Sequence, residues 1–296
     1  MTACVAAVEL GGTHALVSAG RGPGDMAAVR RLPTTTPGET TGGIVAALQT
    51  LRNEGWAFAA IGVASFGPVG VSPARDTYGR ILSTPKPGWS GADLRGPLAA
   101  LGGPVVFETD VNAAALGEGE QGAARGLSDF AYVTCGTGVG VGLCVGGSPV
   151  HGRLHPEGGH LRVGRLPGDQ FPGVCPWHGD CVEGMICGPA LAARTGADPA
   201  TLPADDPVWD IAGAYLGQLL ANVALLTSPQ RIIVGGGVGS RPELLAAARR
   251  VLGACLAGYL DQEDAVDPER FVVPAALPHS GLVGALVLAA RALASG

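Results

Sequence analysis

The 296-residue chain lacks most of the features that would assign it to a class at sight. Only 15% of its residues are charged, the formal net charge is −6, and no long basic stripe occurs. That balance excludes nucleic acid and an anionic membrane as primary partners. It leaves room for a small anionic ligand, because backbone N–H groups bind phosphate without any excess of Lys or Arg. No apolar run reaches the length of a membrane span: the most apolar late stretch, 281–294, is too short and carries Arg291. The opening MTACVAAVEL has no basic stretch, and Glu9 interrupts it, so it does not read as a secretory signal. Neither a GxxxxGK[ST] P-loop nor a clear GxGxxG strand–helix fingerprint is found. The seven cysteines are odd in number and form no even framework, which argues against a secreted disulfide scaffold. What remains is a globular, cytoplasmic protein, 47% apolar and long enough for two lobes with separate cores.

Glycine, by contrast, is plentiful at 49 residues, and much of it sits in tight clusters between strand-like runs. The chain opens with a strand over Cys4 to Leu10, a Gly-Gly-Thr turn, and a second strand to Ala19. A helix from Thr40 to Asn53 and a buried strand from Ala60 to Ser65 follow, then the loop SFGPVG. After a loop-rich stretch, PVVFETD reads as a strand and VNAAALGEGEQGAA as a helix. A second hairpin spans Phe130 to Cys135 and Val139 to Val145. Residues 146–188 read as irregular; beyond them come a helix from Trp209 to Leu226, a strand from Arg231 to Val234 and a helix from Pro242. The runs VELGGTHALVSA and VTCGTGVGVGLCV share the order strand, Gly-rich turn with Thr, strand, which points to a duplicated fold with one phosphate-facing turn per lobe.

Three glycine turns form a candidate nucleotide site. They are Gly11, Gly12 and Thr13; Thr134, Gly136, Thr137 and Gly138; and Gly235, Gly236 and Gly237 after a buried strand. Each alone is weak, and together they indicate a nucleotide cleft. Asp110 stands where a strand ends and a helix begins. That is a place for an N-cap, and equally for a carboxylate that accepts a proton from a substrate hydroxyl. His160, Cys175, His178 and Cys181 offer two imidazoles and two thiols in one loop-rich segment, a set that suits a closed, structural zinc site. His155 competes with His160 for the first place in that set. Glu157 and Glu183 flank the segment, and a metal there would fix both carboxylates for hydrogen bonds to vicinal sugar hydroxyls.

In this order the motifs resemble the ROK family (repressor, open reading frame, kinase) over essentially the whole chain. Its first phosphate motif is matched by Glu9, Gly11, Gly12 and Thr13, and its second by Gly136-Thr-Gly138. Its catalytic Asp is matched by Asp110 ahead of Asn112-Ala-Ala-Ala-Leu-Gly-Glu118, and its sugar and zinc motif by Glu157 to His160. In the family that last His bridges metal and sugar, which favours His160 over His155, and the Glu at the position of Glu183 contacts sugar. SFGPVG, TPKPGW, TDVNAAALGE, HPEGGH and CPWHGDC are similar to the bacterial fructokinase branch, and Thr109, where many glucose-directed members have Asn, points from glucose toward fructose. His14 stands where the family often has Lys or Asn, which removes a cation from beside the phosphates.

The resemblance implies a two-lobed, actin-like (ribonuclease-H-like) α/β ATPase fold with the active site in the interdomain cleft. The expected lobes are 1–109, regaining a C-terminal helix at about 283–296, and 110–282 with the zinc loop. It also implies phosphorylation of a hexose by ATP, D-fructose to fructose 6-phosphate, with Asp110 as base, Mg²⁺ near Glu9 and Asp110, and structural Zn²⁺. Thr109, Glu157, His160, Glu183, Gly67 and Pro68 are the expected sugar contacts. A homodimer is implied as well. A glucose, mannose, N-acetylhexosamine or broad-specificity kinase is the first alternative, and a non-catalytic sugar sensor the second. The sensor reading is disfavoured because the chain starts directly at a strand, without room for the winged helix of the family's repressors, and retains Asp110.

Overall fold

The computed structural model describes residues 3–22, 24–260 and 267–294. In chain order the strands are β1 (Val5–Leu10), β2 (His14–Gly22), β3 (Asp25–Met26), β4 (Arg30–Pro33), β5 (Ile61–Ser65), β6 (Val105–Thr109), β7 (Phe130–Cys135), β8 (Val139–Val145), β9 (Ser148–Pro149), β10 (Arg231–Gly235) and β11 (Val272–Pro274). The helices are α1 (Pro37–Asn53), α2 (Arg95–Ala99), α3 (Asp110–Gln121), α4 (Val182–Ile186), α5 (Gly188–Thr195), α6 (Val208–Thr227), α7 (Pro242–Leu256), α8 (Pro268–Phe271) and α9 (Ser280–Ala294). They group into two compact units: Met1–Arg125 with His151–His155 and Leu277–Gly296, and Gly126–Val150 with Pro156–Ala276.

Unit 1 is a sheet in the order β3-β2-β1-β5-β6, with β4 also paired to β2. β1 and β2 form the expected hairpin, and β1, β5 and β6 run parallel. Because side chains alternate along a strand, β1 serves two cores. Ala6, Val8 and Leu10 join Ile44, Leu48 and Leu51 of α1, while Val5 and Ala7 join Ala113 of α3 and Leu282, Ala285 and Leu286 of α9. The same alternation turns Glu9 to the α3/α9 side. Helix α1 begins at Pro37, ahead of the expected Thr40, because Thr36 accepts the Glu39 N–H and the Glu39 carboxylate accepts the Thr36 hydroxyl at 2.9 Å, closing a capping box.

Unit 2 repeats the plan. Its sheet runs β11-β10-β7-β8-β9, with β7–β8 an antiparallel hairpin and β7, β10 and β11 parallel. Hairpin, parallel strand, parallel strand is also the order β2-β1-β5-β6, so the duplication read from the two Gly-Thr turns is present in the topology. The long apolar α6 meets the length and composition of a membrane-crossing helix. However, 67% of that window is buried inside the protein, against α7 among other elements.

Residues 110–125 differ from the expected lobe division. They group with unit 1, not with the segment that follows. The reason is close packing of α3 on α9: a Cβ on Gly284 would collide with the Ala113 carbonyl, so only glycine lets the two backbones meet. Glu118 seals the contact, its Oε1 accepting the Ser280 hydroxyl at 2.7 Å and the Leu277 N–H at 3.0 Å. The expected C-terminal helix is α9; positions 295 and 296 lie outside the described residues. The stretch 146–188, expected to be irregular, includes β9 and α4.

Candidate active site

Register gathers the unit 1 site. Leu10 is paired with Ser65, and Ser65 with Thr109, across three parallel strands. The turn 11–13, the loop 66–70 and Asp110 therefore leave the sheet from one edge, the carboxyl ends of the strands, where α/β sheets bind ligands.

Asp110 is not the cap of its helix. Thr109 is: it is 3% exposed, and its hydroxyl oxygen accepts the Asn112 N–H at 3.1 Å. Thr109, expected among the sugar contacts, thus gives its hydroxyl oxygen to the N-terminus of α3 as an acceptor. Asp110, one residue on, accepts the adjacent Val111 N–H on Oδ1 at 2.9 Å and its own backbone N–H. Burial pushes its pKa up to about 6, partly opposed by backbone N–H bonds. Glu9 faces it from β1. Burial, and next the charge of Asp110, push Glu9 up to about 7. Its Oε2 is buried without a hydrogen-bond partner. Two neighbouring carboxylates, one raised by the other's charge and left with an orphaned oxygen, fit a hard divalent cation such as Mg²⁺.

The turn beside them is closed by the Gly11 N–H to His14 carbonyl bond (3.0 Å) and tied to β4 by Thr34, which donates to the Gly11 carbonyl at 2.9 Å. The N–H groups of Gly12 and Thr13 have no intramolecular acceptor among the described residues, and no atom lies within 4 Å of where a Gly12 Cβ would stand. Lys86, from the TPKPGW segment, donates Nζ to the Gly12 carbonyl at 2.6 Å. In the 66–70 loop, Val69 N–H donates to His155 Nε2 at 3.2 Å, just after Gly67 and Pro68. His155 is therefore buried in unit 1 and is no member of the Cys/His cluster. Behind Asp110, Glu108 is 2% exposed and satisfied by Thr109 N–H (2.8 Å), Asn112 Nδ2 (3.0 Å) and His151 Nε2 (2.6 Å). That hydrogen bond raises the pKa of His151.

In unit 2, Gly235 is paired with Thr134, so the turn 136–138 and the loop 236–237 also leave one sheet edge together. Gly136 N–H donates to the Gly138 carbonyl at 2.8 Å, and Glu183 Oε2 accepts the Val139 N–H at 3.0 Å. Gly235, expected to touch nucleotide, is buried against the Tyr132 side chain; Gly236 and Gly237 are the accessible pair, and Thr137 is exposed.

His160, Cys175, His178 and Cys181 put one ligand atom each within 4.8 Å of all the others. Cys175 Sγ lies 3.7 Å from both His160 Nδ1 and His178 Nδ1, and Cys181 Sγ lies 3.5 Å from His160 Nδ1. Zn–S and Zn–N bonds at a tetrahedral angle give an S···N edge of ~3.6 Å, so the donor set and its spacing fit zinc. Gly159 seats this segment: a Cβ there would meet the Val139 carbonyl, so the 3-10 turn Gly158–His160 lies directly on β8. Glu157 is exposed at the head of that turn, and the Glu183 carboxylate stands 3.9 Å from His160 Nδ1.

Two side-chain features here were not assigned from sequence. Lys86 was visible only as part of a family-like string. The Glu108–His151 pair joins residues far apart in the chain and has no local signature.

Comparison with known proteins agrees with this fold. The profile of the ROK family matches residues 5–292. A fructokinase from Pediococcus pentosaceus is 40% identical over 289 residues, covering 97% of this chain and 98% of that protein. Among solved structures, a ROK hexokinase from Thermus thermophilus superposes with a TM-score of 0.78 at 28% identity, over 99% of this chain and 100% of that one. A ROK family glucokinase from Streptomyces griseus, in complex with glucose and AMPPNP, does so at 0.76 and 28% identity, over 97% and 99%. The two-sheet α/β architecture is therefore the actin-like ATPase fold.

Proposed function

The chain belongs to the ROK family and is an ATP-dependent sugar kinase; on that footing we propose that its acceptor is D-fructose, converted to fructose 6-phosphate with Asp110 as general base. The observation that carries the mechanism is the capping arrangement: Thr109 takes the helix N-terminus and leaves the Asp110 carboxylate free for a substrate proton. The fructose assignment is supported by the 40% identical relative named fructokinase, which matches from end to end.

Asp110 accepts the proton of the sugar primary hydroxyl as its oxygen attacks the γ-phosphorus of ATP. Within unit 1, the unpartnered N–H groups of Gly12 and Thr13 bind phosphate oxygens, and Gly67 and Pro68 border the sugar. Within unit 2, Thr134, Gly136, Thr137 and Gly138 serve phosphate, and Gly236 and Gly237 serve adenosine. Glu157, His160 and Glu183 orient the sugar; His160 gives Nδ1 to the metal cluster and keeps Nε2 for a hydroxyl. Glu9 and Asp110 would hold Mg²⁺, which supplies charge neutralisation to the transferring phosphoryl group. His160, Cys175, His178 and Cys181 would hold a structural zinc that braces residues 156–181. The reading extends to a cytoplasmic homodimer. All seven cysteines are free, in keeping with a reducing compartment, and a net charge of −6 disfavours nucleic acid and anionic membranes as partners.

The test is ADP release from Mg-ATP by the purified protein with fructose, mannose, glucose and N-acetylglucosamine. Fructose should give the highest kcat/KM. Preference for another sugar would overturn the acceptor assignment, and no turnover across a wider acceptor and donor panel would overturn the kinase mechanism.

A further inference from the structure

Resting on the sugar-kinase reading, we propose that Lys86 is a catalytic residue of the phosphoryl transfer: its ammonium meets the γ-phosphate at the Gly11–Thr13 turn. An ammonium carries three N–H donors. Lys86 uses one of them on the Gly12 carbonyl, at 2.6 Å, and no carboxylate pairs with it among the described residues. A half-buried cation without a counter-charge is costly, and an arriving phosphate removes that cost.

The ammonium is also held in place. Trp89, three positions on, is fully buried, and its indole N–H donates to the Thr35 carbonyl at 2.8 Å. Thr84 N–H donates to Ser90 Oγ at 3.2 Å, closing the 84–90 loop, and Lys86 Nζ lies 6.0 Å from the Trp89 ring centroid. Position 14, which follows the Gly-Gly-Thr turn, cannot take this role. His14 Nδ1 accepts from Arg31 Nη2 at 3.0 Å, so the imidazole and the guanidinium are engaged with each other on the strand pair. Lys86 reaches the turn from elsewhere in the chain and supplies the cation that position 14 does not.

The carbonyl and the N–H of one peptide point in opposite directions. Lys86, on the Gly12 carbonyl, therefore does not share a phosphate oxygen with the Thr13 N–H; it serves the neighbouring phosphoryl group. In the transfer, the sugar oxygen bonds to the γ-phosphorus and the bond from phosphorus to the bridging oxygen breaks. Its electron pair leaves with ADP, and the hydroxyl proton passes to Asp110. Lys86 stays protonated throughout and offsets negative charge on the γ-phosphoryl oxygens.

The experiment compares wild type, Lys86→Met and Lys86→Arg by steady-state kinetics and by binding of ADP and a non-hydrolysable ATP analogue. Lys86→Met should lower kcat by ~100-fold, the loss typical of one transition-state donor, with the fructose KM within about threefold of wild type. It should weaken the ATP analogue by about tenfold while leaving ADP affinity unchanged, and Lys86→Arg should recover part of both losses. A kcat within about threefold of wild type, equal weakening of ADP and the analogue, or a change confined to the sugar KM would each overturn the proposal. Should Lys86→Met fail to fold, Lys86→Gln takes its place with the same expectations. If wild type phosphorylates no sugar, the kinase reading falls by itself. The analogue-to-ADP affinity ratio then still reads the γ-phosphate contact, and an unchanged ratio would overturn it.

Discussion

The turns of the β1–β2 and β7–β8 hairpins occupy the same place in two copies of one topology, yet their surroundings differ. The unit 1 turn is bordered by charge: Glu9 at the end of β1, the neighbouring Asp110, and Lys86 on the Gly12 carbonyl. The unit 2 turn is held by backbone groups, Gly188 N–H on the Gly136 carbonyl at 2.7 Å, and by Glu183 on Val139 N–H. No Lys or Arg donates to residues 136–138 among the described residues. The two units share one hairpin plan, and among the described residues the charged side chains gather at the unit 1 turn. The second unit instead carries the Cys/His cluster, next to its turn through Glu183 and His160.

The largest effect that would break this division of labour is at Asp110. Asp110→Asn should lower kcat by at least ~10³-fold and leave the circular dichroism spectrum unchanged, since Thr109 still caps α3. Activity within tenfold of wild type would remove chemistry from unit 1. Next comes the metal cluster. Metal analysis should find one zinc per wild-type chain, and Cys175→Ser or Cys181→Ser should abolish it and raise the fructose KM by ~10- to 100-fold. ADP affinity should change far less if the cluster braces the proposed sugar-binding segment. A variant that lost zinc and kept its fructose KM would refute that link.

The pH profile sharpens the comparison further. Asp110 must be ionised to accept a proton, and its pKa is raised to about 6. kcat/KM should therefore be flat above that value and fall about tenfold per pH unit below it; a profile flat down to pH 5 would contradict the assignment. The smallest effect concerns stability. Glu9 has a folded pKa of about 7, above its ordinary value near 4.5. Its favourable contribution is thus full below that ordinary value and is lost as pH rises through 7. Glu9→Gln should accordingly raise stability at pH 8 by ~3 kcal/mol and match wild type at pH 4, while lowering activity. Equal melting temperatures at pH 8 would show that Glu9 carries no such strain.

Both hairpins are legible in the sequence, for a local reason. A Gly-Gly-Thr between two apolar alternating runs specifies a hairpin turn from neighbouring residues alone, and both hairpins lie where the pattern puts them. Cys175, His178 and Cys181 are spaced within one loop, so their convergence needs little else. The choice between His155 and His160 was different in kind. It depended on the Val69 N–H that takes up His155, a bond across much of unit 1. Thr109 shows the same limit at short range: cap and candidate base stand side by side at 109 and 110, and only backbone geometry assigns the Thr109 hydroxyl to Asn112 N–H.

By itself, the sequence determined the strands, the turns, the candidate Cys/His cluster and the candidate base, because each is written in residue type and short-range spacing. Tertiary structure alone decided that α3 belongs with unit 1, through glycine contacts with α9. It also decided that Glu108 pairs with His151, and that Lys86 stands on the Gly12 carbonyl. Those outcomes depend on which backbones approach closely and where long side chains end, and such long-range geometry leaves no periodicity for a sequence to display.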